Sequence, residues 1–505
     1  MKKMKSILLL IPALAGMLLG SCRDSANDRA HYQAVPAETS ILVSVRVEAL
    51  SQKSGVADKL KPMFEQQPDA LAGTLLTILN DGKASGLRLD EEVLFFLGKD
   101  DRHTGITAMI SDREKFTKHL DLLAEKHICS KVEKQGDVYI ARGLQMAAML
   151  VFNDRVLVGV ANDGEQYARE LLAQPVEKSI LSDEHFLKTL PATDDVLVYA
   201  NAGNLLSLFN VKEFMGPLGD VDYSKVFNTI GLNFLDGEAR LTVTYYSSDV
   251  ALAELQAQIT RPITRAHLDC IPASPLLLMI ANFKGEEYNK FLENNLRNIH
   301  EVLGTFGNDV QMQRVIALYQ GLIEASSSID GECTFSITPS PSGIPSLVLY
   351  ADVKDDHLVR FLDTQLSDIP FITNEKVDET TYRVSTPLPM LNFYYGVKEG
   401  RFFFTNNEEI YKNAGKKVQD SYKDSRLARR IPANTFGYFF VDIQSVIDIV
   451  TKQFHLPMDN KELVARFRYL ESFTEGPSKF VFILEETNKD QNILKSIVDA
   501  VAVSF

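Results

Sequence analysis

Three local groupings in the sequence contain residue types that could do chemistry. Asp355-Asp356-His357 sets two carboxylates beside an imidazole. Ser182-Asp183-Glu184-His185 holds the members of a nucleophilic relay, and His119 and His127 lie eight residues apart in a helical stretch. None has the geometry its chemistry needs. Neighbours on one helical turn cannot line up hydroxyl, imidazole and carboxylate in a relay. Asp355 and Asp356 open the segment DDHLVRFLDTQL, where carboxylates cap a helix and answer its dipole. The two histidines have no third ligand nearby, which a zinc site requires. Gly-x-Ser-x-Gly, His-Glu-x-x-His, Ser-x-x-Lys, the P-loop and Gly-x-Gly-x-x-Gly are all absent from the chain. No catalytic, cofactor-binding or metal-binding residue is therefore assigned. The balance leans away from an enzyme, although a site dispersed along the chain leaves no local motif.

Cysteine chemistry is more specific. Lys2, Lys3 and Lys5 precede the apolar stretch Ile7 to Leu19, which ends in Leu19-Gly20-Ser21-Cys22. The stretch is too short to span a bilayer, where about 20 apolar residues are needed, but it suits a signal peptide. Its end resembles the bacterial lipobox, in which the Cys thiol takes a diacylglycerol and the chain is cut just before it. The resemblance implies residues 1–21 as a lipoprotein signal peptide, Cys22 as the lipidation site and residues 22–34 as a lipidated flexible tether. Asp24-Ser25-Ala26 in that tether is similar to a three-residue O-glycosylation acceptor of Bacteroidetes, beside the plainer reading of a linker. Cys129, Cys270 and Cys333 remain, so at most one disulfide can form, and buried apolar thiols are the simpler reading.

Composition narrows the class. The chain has 505 residues, 45% hydrophobic and 24% charged, with a formal net charge of −14. That length and apolar content can build real cores, and the acidic balance argues against nucleic-acid binding. Four cysteines in all exclude a disulfide-built scaffold. Trp is absent, which removes the largest sugar-stacking platform; Tyr245-Tyr246 and Tyr394-Tyr395 are the remaining candidates for glycan stacking.

The elements that must position these residues repeat. An apolar-Pro-Ala step ahead of an apolar run occurs at Pro36, Pro191, Pro272 and Pro432, with 236 residues from the first to the third and 241 from the second to the fourth. Asp90-x-Glu92 returns as Asp330-x-Glu332, Ser111-Asp112 as Ala351-Asp352, and Gly237 as Gly476. Met149–Phe152 with Val156–Val160, and Asn392–Val397 with Phe402–Thr405, read as strand pairs around tight turns. Leu75, Ile78 and Leu79, and later Val315, Ile316, Tyr319, Leu322 and Ile323, mark helical faces. The expected fold is α+β: two tandem duplicated domains, residues 35–270 and 271–505, each mainly antiparallel sheet with packed helices.

One surface stands out by charge. Lys416, Lys417, Lys423, Arg426, Arg429 and Arg430 form a cationic stretch, a candidate patch for an anionic partner such as lipid headgroups or an acidic polysaccharide. The opening VPAETSILVSVRVEALSQKSG, together with the lipobox, the tether and the length, resembles a Bacteroidetes family of uncharacterised lipoproteins classed as a domain of unknown function. That resemblance implies a cell-envelope location, lipid-anchored at the outer membrane on either face, and no activity. The expected role is non-catalytic binding or scaffolding, with membrane contact through the lipid and an envelope protein or glycan as partner. A glycan- or ligand-binding surface lipoprotein is the alternative, and an envelope hydrolase follows it. The intact mass of the protein from a membrane fraction should carry the acyl chains, and Cys22→Ala should remove them; an unacylated wild-type product overturns the lipobox reading.

Overall fold

The computed structural model describes residues 29–59, 85–98, 103–144, 148–161, 164–190, 193–204, 225–247, 259–290, 293, 320–321, 323–340, 343–367, 369–388, 392–453, 464–476 and 478–502. Cys22, Ser25, Leu75, Ile78, Leu79, Pro191, Val315, Ile316, Tyr319 and Leu322 lie outside the described residues. The described α-helices are α1 (Ala30–Gln33), α2 (Val47–Ser54), α3 (Arg113–Glu125), α4 (Glu165–Ala173), α5 (Glu184–Leu187), α6 (His357–Ser367), α7 (Glu408–Lys412), α8 (Ile443–Asp448) and α9 (Ile493–Ala502). Among the described residues no helix is long and apolar enough to cross a membrane.

The chain forms two compact units. The first contains β1 (Ile41–Val45), β2 (Val93–Leu97), β3 (Thr104–Met109), β4 (Glu133–Gln135), β5 (Val138–Arg142), β6 (Ala148–Phe152), β7 (Val156–Ala161), β8 (Val196–Asn201), β9 (Val226–Leu235) and β10 (Glu238–Ser247). They pair antiparallel in the order β4-β5-β6-β7-β3-β2-β1-β8-β9-β10. Helix α9, at the far end of the chain, also belongs to this unit: the Lys495 side chain lies over Gly55, and Asn492 donates to the Phe234 carbonyl.

The second unit contains β11 (Leu277–Phe283), β12 (Ile329–Thr338), β13 (Ser346–Val353), β14 (Thr373–Lys376), β15 (Thr381–Ser385), β16 (Phe393–Lys398), β17 (Arg401–Thr405), β18 (Thr435–Asp442), β19 (Phe467–Glu475) and β20 (Lys479–Glu486). Their antiparallel order is β14-β15-β16-β17-β13-β12-β11-β18-β19-β20, the same as in the first unit when each strand is taken ten places on. The fold is thus α+β with antiparallel sheet, as the period-two runs and short turns require.

Around β7 in the first unit and around β13, β16 and β17 in the second, both faces of the sheet are covered, so these strands bury apolar residues at consecutive positions, whereas β1 and β11 alternate. In β7, Val156, Val158 and Val160 join a core with Tyr32 of α1, Ala168 and Leu171 of α4, and Phe186 of α5. Leu157 points the other way, into a core with Phe116, Leu120 and Leu123 of α3. In the second unit Ala351, Tyr395 and Phe402 pack with Val359 of α6. Tyr350, Phe403 and Phe440 pack instead with Leu268, Ile271, Tyr422 and Ile431. The hairpin and cap signals of the sequence have local causes. Asn153 Oδ1 accepts from the amides of Arg155 and Val156 in the β6–β7 turn. Glu399 and Gly400, with φ of 54° and 74°, form the β16–β17 turn. Asp112 caps α3 by accepting from the Lys115 amide.

The segment Ala-Leu-x-x-Lys-Ser-Gly has a structural reason. Gly55, at φ 61°, ends α2 in the left-handed conformation. Lys53 Nζ pairs at 2.6 Å with Asp195, whose side chain is 3% exposed. Asp195 also accepts from the Phe234 amide, so α2 is fixed to the β8–β9 end of the sheet. Lys53→Met should strand that carboxylate and destabilise the first unit by about 3 kcal/mol; a urea midpoint unchanged from wild type contradicts the role.

Candidate functional site

Among the described residues of the second unit, a buried polar cluster forms where the segment before Pro272 meets β12 and β13. Arg265 turns at φ 63° and aims successive amides at one carboxylate. Glu332 Oε2 accepts from the Thr264 amide at 2.6 Å, the Thr264 hydroxyl at 2.9 Å and the Arg265 amide at 2.7 Å. Its Oε1 accepts from the His267 amide at 3.2 Å. Glu332 is 1% exposed, so these partners replace water, and charge-assisted bonds of this kind contribute about 1.5–3 kcal/mol each.

His267, wholly buried, joins the cluster through its ring. Nε2 lies 3.0 Å from Asp352 Oδ1 and Nδ1 lies 3.1 Å from Thr334 Oγ1. Nε2 faces the carboxylate and Nδ1 faces the Thr334 hydroxyl. Hydroxyl, imidazole and carboxylate thus stand in the order of a nucleophilic relay, with the ring reversed relative to the serine-protease arrangement. Thr334 and His267 are both 0% exposed, and a hydroxyl sealed in a core meets no substrate carbonyl. The cluster holds a chain segment in place.

Asp352 is the member that reaches solvent, its side chain 36% exposed. Burial pushes its carboxyl up, but the His267 hydrogen bond and charge, the Glu332 amide and the Arg401 guanidinium together hold it below the ordinary aspartate range. Gly331 beneath it leaves no room for a side chain, since a Cβ there would lie 2.5 Å from the Asp352 Cβ.

The three thiols are free, and none is activated. Burial pushes all of them up, with Asp121 adding to the effect at Cys129. At Cys270 burial outweighs the opposing pull of Arg401 and Lys423. Cys333 reaches about 12, through burial and then the charges of Asp352 and Glu332. Protonated, enclosed thiols are poor nucleophiles.

The groupings singled out in the sequence act as caps. Asp183 Oδ1 accepts from the amides of His185 and Phe186, while its Oδ2 accepts from the Tyr199 hydroxyl. His185 stacks on Phe227 instead of joining a relay. Asp355 accepts from the His357 amide, and Asp356 pairs with Arg360 one turn on. His119 is buried on α3, its imidazole pushed down by desolvation, and His127 is exposed at the end of that helix with φ 56°. Among the described residues no three His, Cys, Asp or Glu side chains group as metal ligands.

The cationic stretch divides into paired and exposed members. Arg430 reaches Glu485 at 2.7 Å and Glu471 at 3.6 Å, both carboxylates buried. Lys423 pairs with Asp269 at 2.6 Å, and Lys417 with Asp424 at 3.2 Å. Lys416, Arg426 and Arg429 are exposed and, among the described residues, have no carboxylate partner; Arg429 donates to the Asp424 carbonyl. The tyrosine candidates divide as well. Tyr394 stacks on Tyr411 and Tyr395 on Tyr382 inside the cores, whereas Tyr245 is exposed.

The sequence held an unused pointer to the buried cluster. Arg29-Ala30-His31 and Arg265-Ala266-His267 repeat each other just upstream of Pro36 and Pro272. His31, like His267, is buried, and its carbonyl accepts from Thr107. Counted along the ladders, however, the first-unit positions matching Thr334, Asp352 and Arg401 are Leu94, Met109 and Val156, all buried and apolar. Asp112, which the sequence aligns with Asp352, is instead the helix-cap counterpart of Asp355.

A depressed aspartate contributes stability that is complete above its unfolded pKa of about 3.9 and is lost as pH falls through its folded value. Asp352→Asn should therefore lower the urea midpoint of the second unit at pH 7 and flatten its decline below about pH 4. A variant with the wild-type pH profile contradicts the assignment.

No curated protein and no solved structure matches the chain. A family model described as a domain of unknown function, DUF4836, matches residues 32–493, which include the buried cluster and the cationic stretch, and the chain belongs to that family.

Proposed function

We propose that the protein is a lipid-anchored cell-envelope lipoprotein with a non-catalytic binding or scaffolding role. In this reading residues 1–21 are removed, Cys22 is acylated, and residues 22–34 tether a sequence present twice, as 35–270 and 271–505, although Leu268 and Cys270 pack in the second compact unit and α9 belongs to the first. The lipobox-like end of the apolar stretch supports the anchor. The duplication is supported by the shared strand order and by the left-handed turn glycines Gly237 and Gly476. The bridges Pro36–Ser179 and Pro272–Ser421, which tie each Pro-Ala step to a matching serine, support it further.

The observation that carries the binding role is the difference in charge around those two bridges. Beside Ser179 the exposed residues include Glu177 and Lys178, of opposite sign. Beside Ser421 stand Lys416, Arg426 and Arg429, three exposed cations without carboxylate partners among the described residues. One frame with two decorations points to a docking surface for an anionic partner on the second unit. Glycan stacking has less support, because Tyr394 and Tyr395 are core residues.

The full-length protein in detergent should bind a sulfated-polysaccharide resin and elute as salt rises. Lys416→Glu, Arg426→Glu and Arg429→Glu together should lower the salt needed for elution. Elution unchanged by the triple substitution overturns the docking surface.

A further inference from the structure

Phe371 is 88% exposed, the most of any large apolar side chain among the described residues. Its backbone is held where phenylalanine rarely sits. The Ile372 amide donates to the Ile369 carbonyl at 3.3 Å and closes the turn Ile369-Pro370-Phe371-Ile372. Proline in the second position and a φ of 70° in the third mark a type II turn, whose third position ordinarily takes glycine. A bulky side chain there is strained. The ring offsets none of that strain by packing, because it stands almost wholly in water.

The turn is firmly seated. Ile372 packs with Leu362 and Leu366 of α6 against the core of Val359 and Tyr395. Asn374 donates to Asp363 at 2.7 Å and to the Tyr395 hydroxyl at 3.0 Å. The β14–β15 ladder ends at the pair Thr373–Ser385, and just beyond it, at the same end of the hairpin, come Phe371 on one strand and Pro387 and Leu388 on the other. Leu388 is 56% exposed.

The two ends of this hairpin differ in charge. Residues 369–374 and 386–393 contain no charged side chain, whereas Glu375, Lys376, Asp378, Glu379 and Arg383 are exposed along the strands and at the far end. The apolar end also presents few loose polar groups. Pro370 and Pro387 have no amide donor, and the Thr386 hydroxyl accepts from the Leu388 amide and donates to its carbonyl. A tip of that kind loses little on leaving water.

The first unit repeats the apolar exposure without repeating the shape. Leu144, which follows β5 as Leu388 follows β15, is 61% exposed. His127, after α3, has a φ of 56° where Phe371, after α6, has 70°. Leucine persists while its neighbour changes from imidazole to phenyl. A protein pocket selects shape, but hydrocarbon selects only apolarity.

We propose that this tip of the second unit enters the apolar layer of a lipid bilayer, with Phe371 and Leu388 leading. The proposal rests on the lipid-anchor reading above: two side chains are a weak membrane site for a free protein, but acylation at Cys22 holds the chain beside the bilayer at an effective concentration of about millimolar.

The chain contains no tryptophan, so Phe371→Trp puts a single indole on the tip. Val377→Trp puts one at the charged end of the same hairpin, about 20 Å away along the strand. Each full-length variant is reconstituted in vesicles of phosphatidylethanolamine and phosphatidylglycerol, with and without brominated acyl chains. The indole at 371 should emit further to the blue than the one at 377 and lose most of its emission to brominated chains, while the one at 377 keeps its own. Equal quenching at the two positions, or none at 371, overturns the proposal. A blue-shifted indole at 371 that brominated chains leave unquenched also overturns it, and assigns the tip to a protein surface instead. Phe371→Gly, which suits the positive φ, should keep or raise the urea midpoint; a lowered midpoint makes the ring a packing residue and overturns the tip. The intact mass of the same preparations reports the anchor. Acylated protein without quenching at 371 overturns the tip alone, whereas absence of acyl chains overturns the anchor and the tip with it.

Discussion

The second unit depends on one buried carboxylate. Glu332 takes three backbone amides and a hydroxyl from the stretch Thr264 to His267, and no water is available there to take them instead. Without that acceptor the turn at Arg265 would leave a row of donors unsatisfied inside the protein, each costing about 1–3 kcal/mol. With it, Leu268, Cys270 and Ile271 are laid onto the sheet and complete a core with Tyr350, Phe403 and Phe440. The position of His267 follows, and with it the contacts to Thr334 and Asp352.

That arrangement explains why a hydroxyl, an imidazole and a carboxylate can line up without doing catalysis. The relay is a by-product of satisfying polar groups beneath a crossing segment, and the hydroxyl end is the most deeply enclosed. The solvent-facing end is where unsatisfied capacity collects. Asp352 is drawn inward by His267 and the Glu332 amide, and it pairs with the neighbouring guanidinium of Arg401 at 3.8 Å, beyond hydrogen-bond reach. In the first unit the matching positions Leu94, Met109 and Val156 are apolar, and the same frame closes without any such residue.

Much of the frame was legible because its causes are local. The β6–β7 turn rests on Asn153, the β16–β17 turn on Glu399 and Gly400, and α6 begins at its own aspartate. Consecutive apolar runs in β7 followed from a sheet covered on both faces. The buried cluster was not legible, since it joins residues 65 to 85 positions apart whose spacing matches no motif. The repeated Arg-Ala-His was visible, but only the register shows that the first-unit positions matching Thr334 and Asp352 are the apolar Leu94 and Met109. Pairing Ser111-Asp112 with Ala351-Asp352 was three residues out for the same reason, as helix caps resemble one another whatever strand precedes them.

By itself the sequence determined the signal-like start, the acidic balance, the α+β alternation and the recurring Pro-Ala steps, all properties of composition and short-range pattern. Tertiary structure decided which charges are available. Arg430, Lys423 and Lys417 read as equals of Arg426 in the sequence, yet folding brings carboxylates to the first three and leaves the last exposed. Coulomb and hydrogen-bond energies depend on distance in space, and distance along the chain does not supply it.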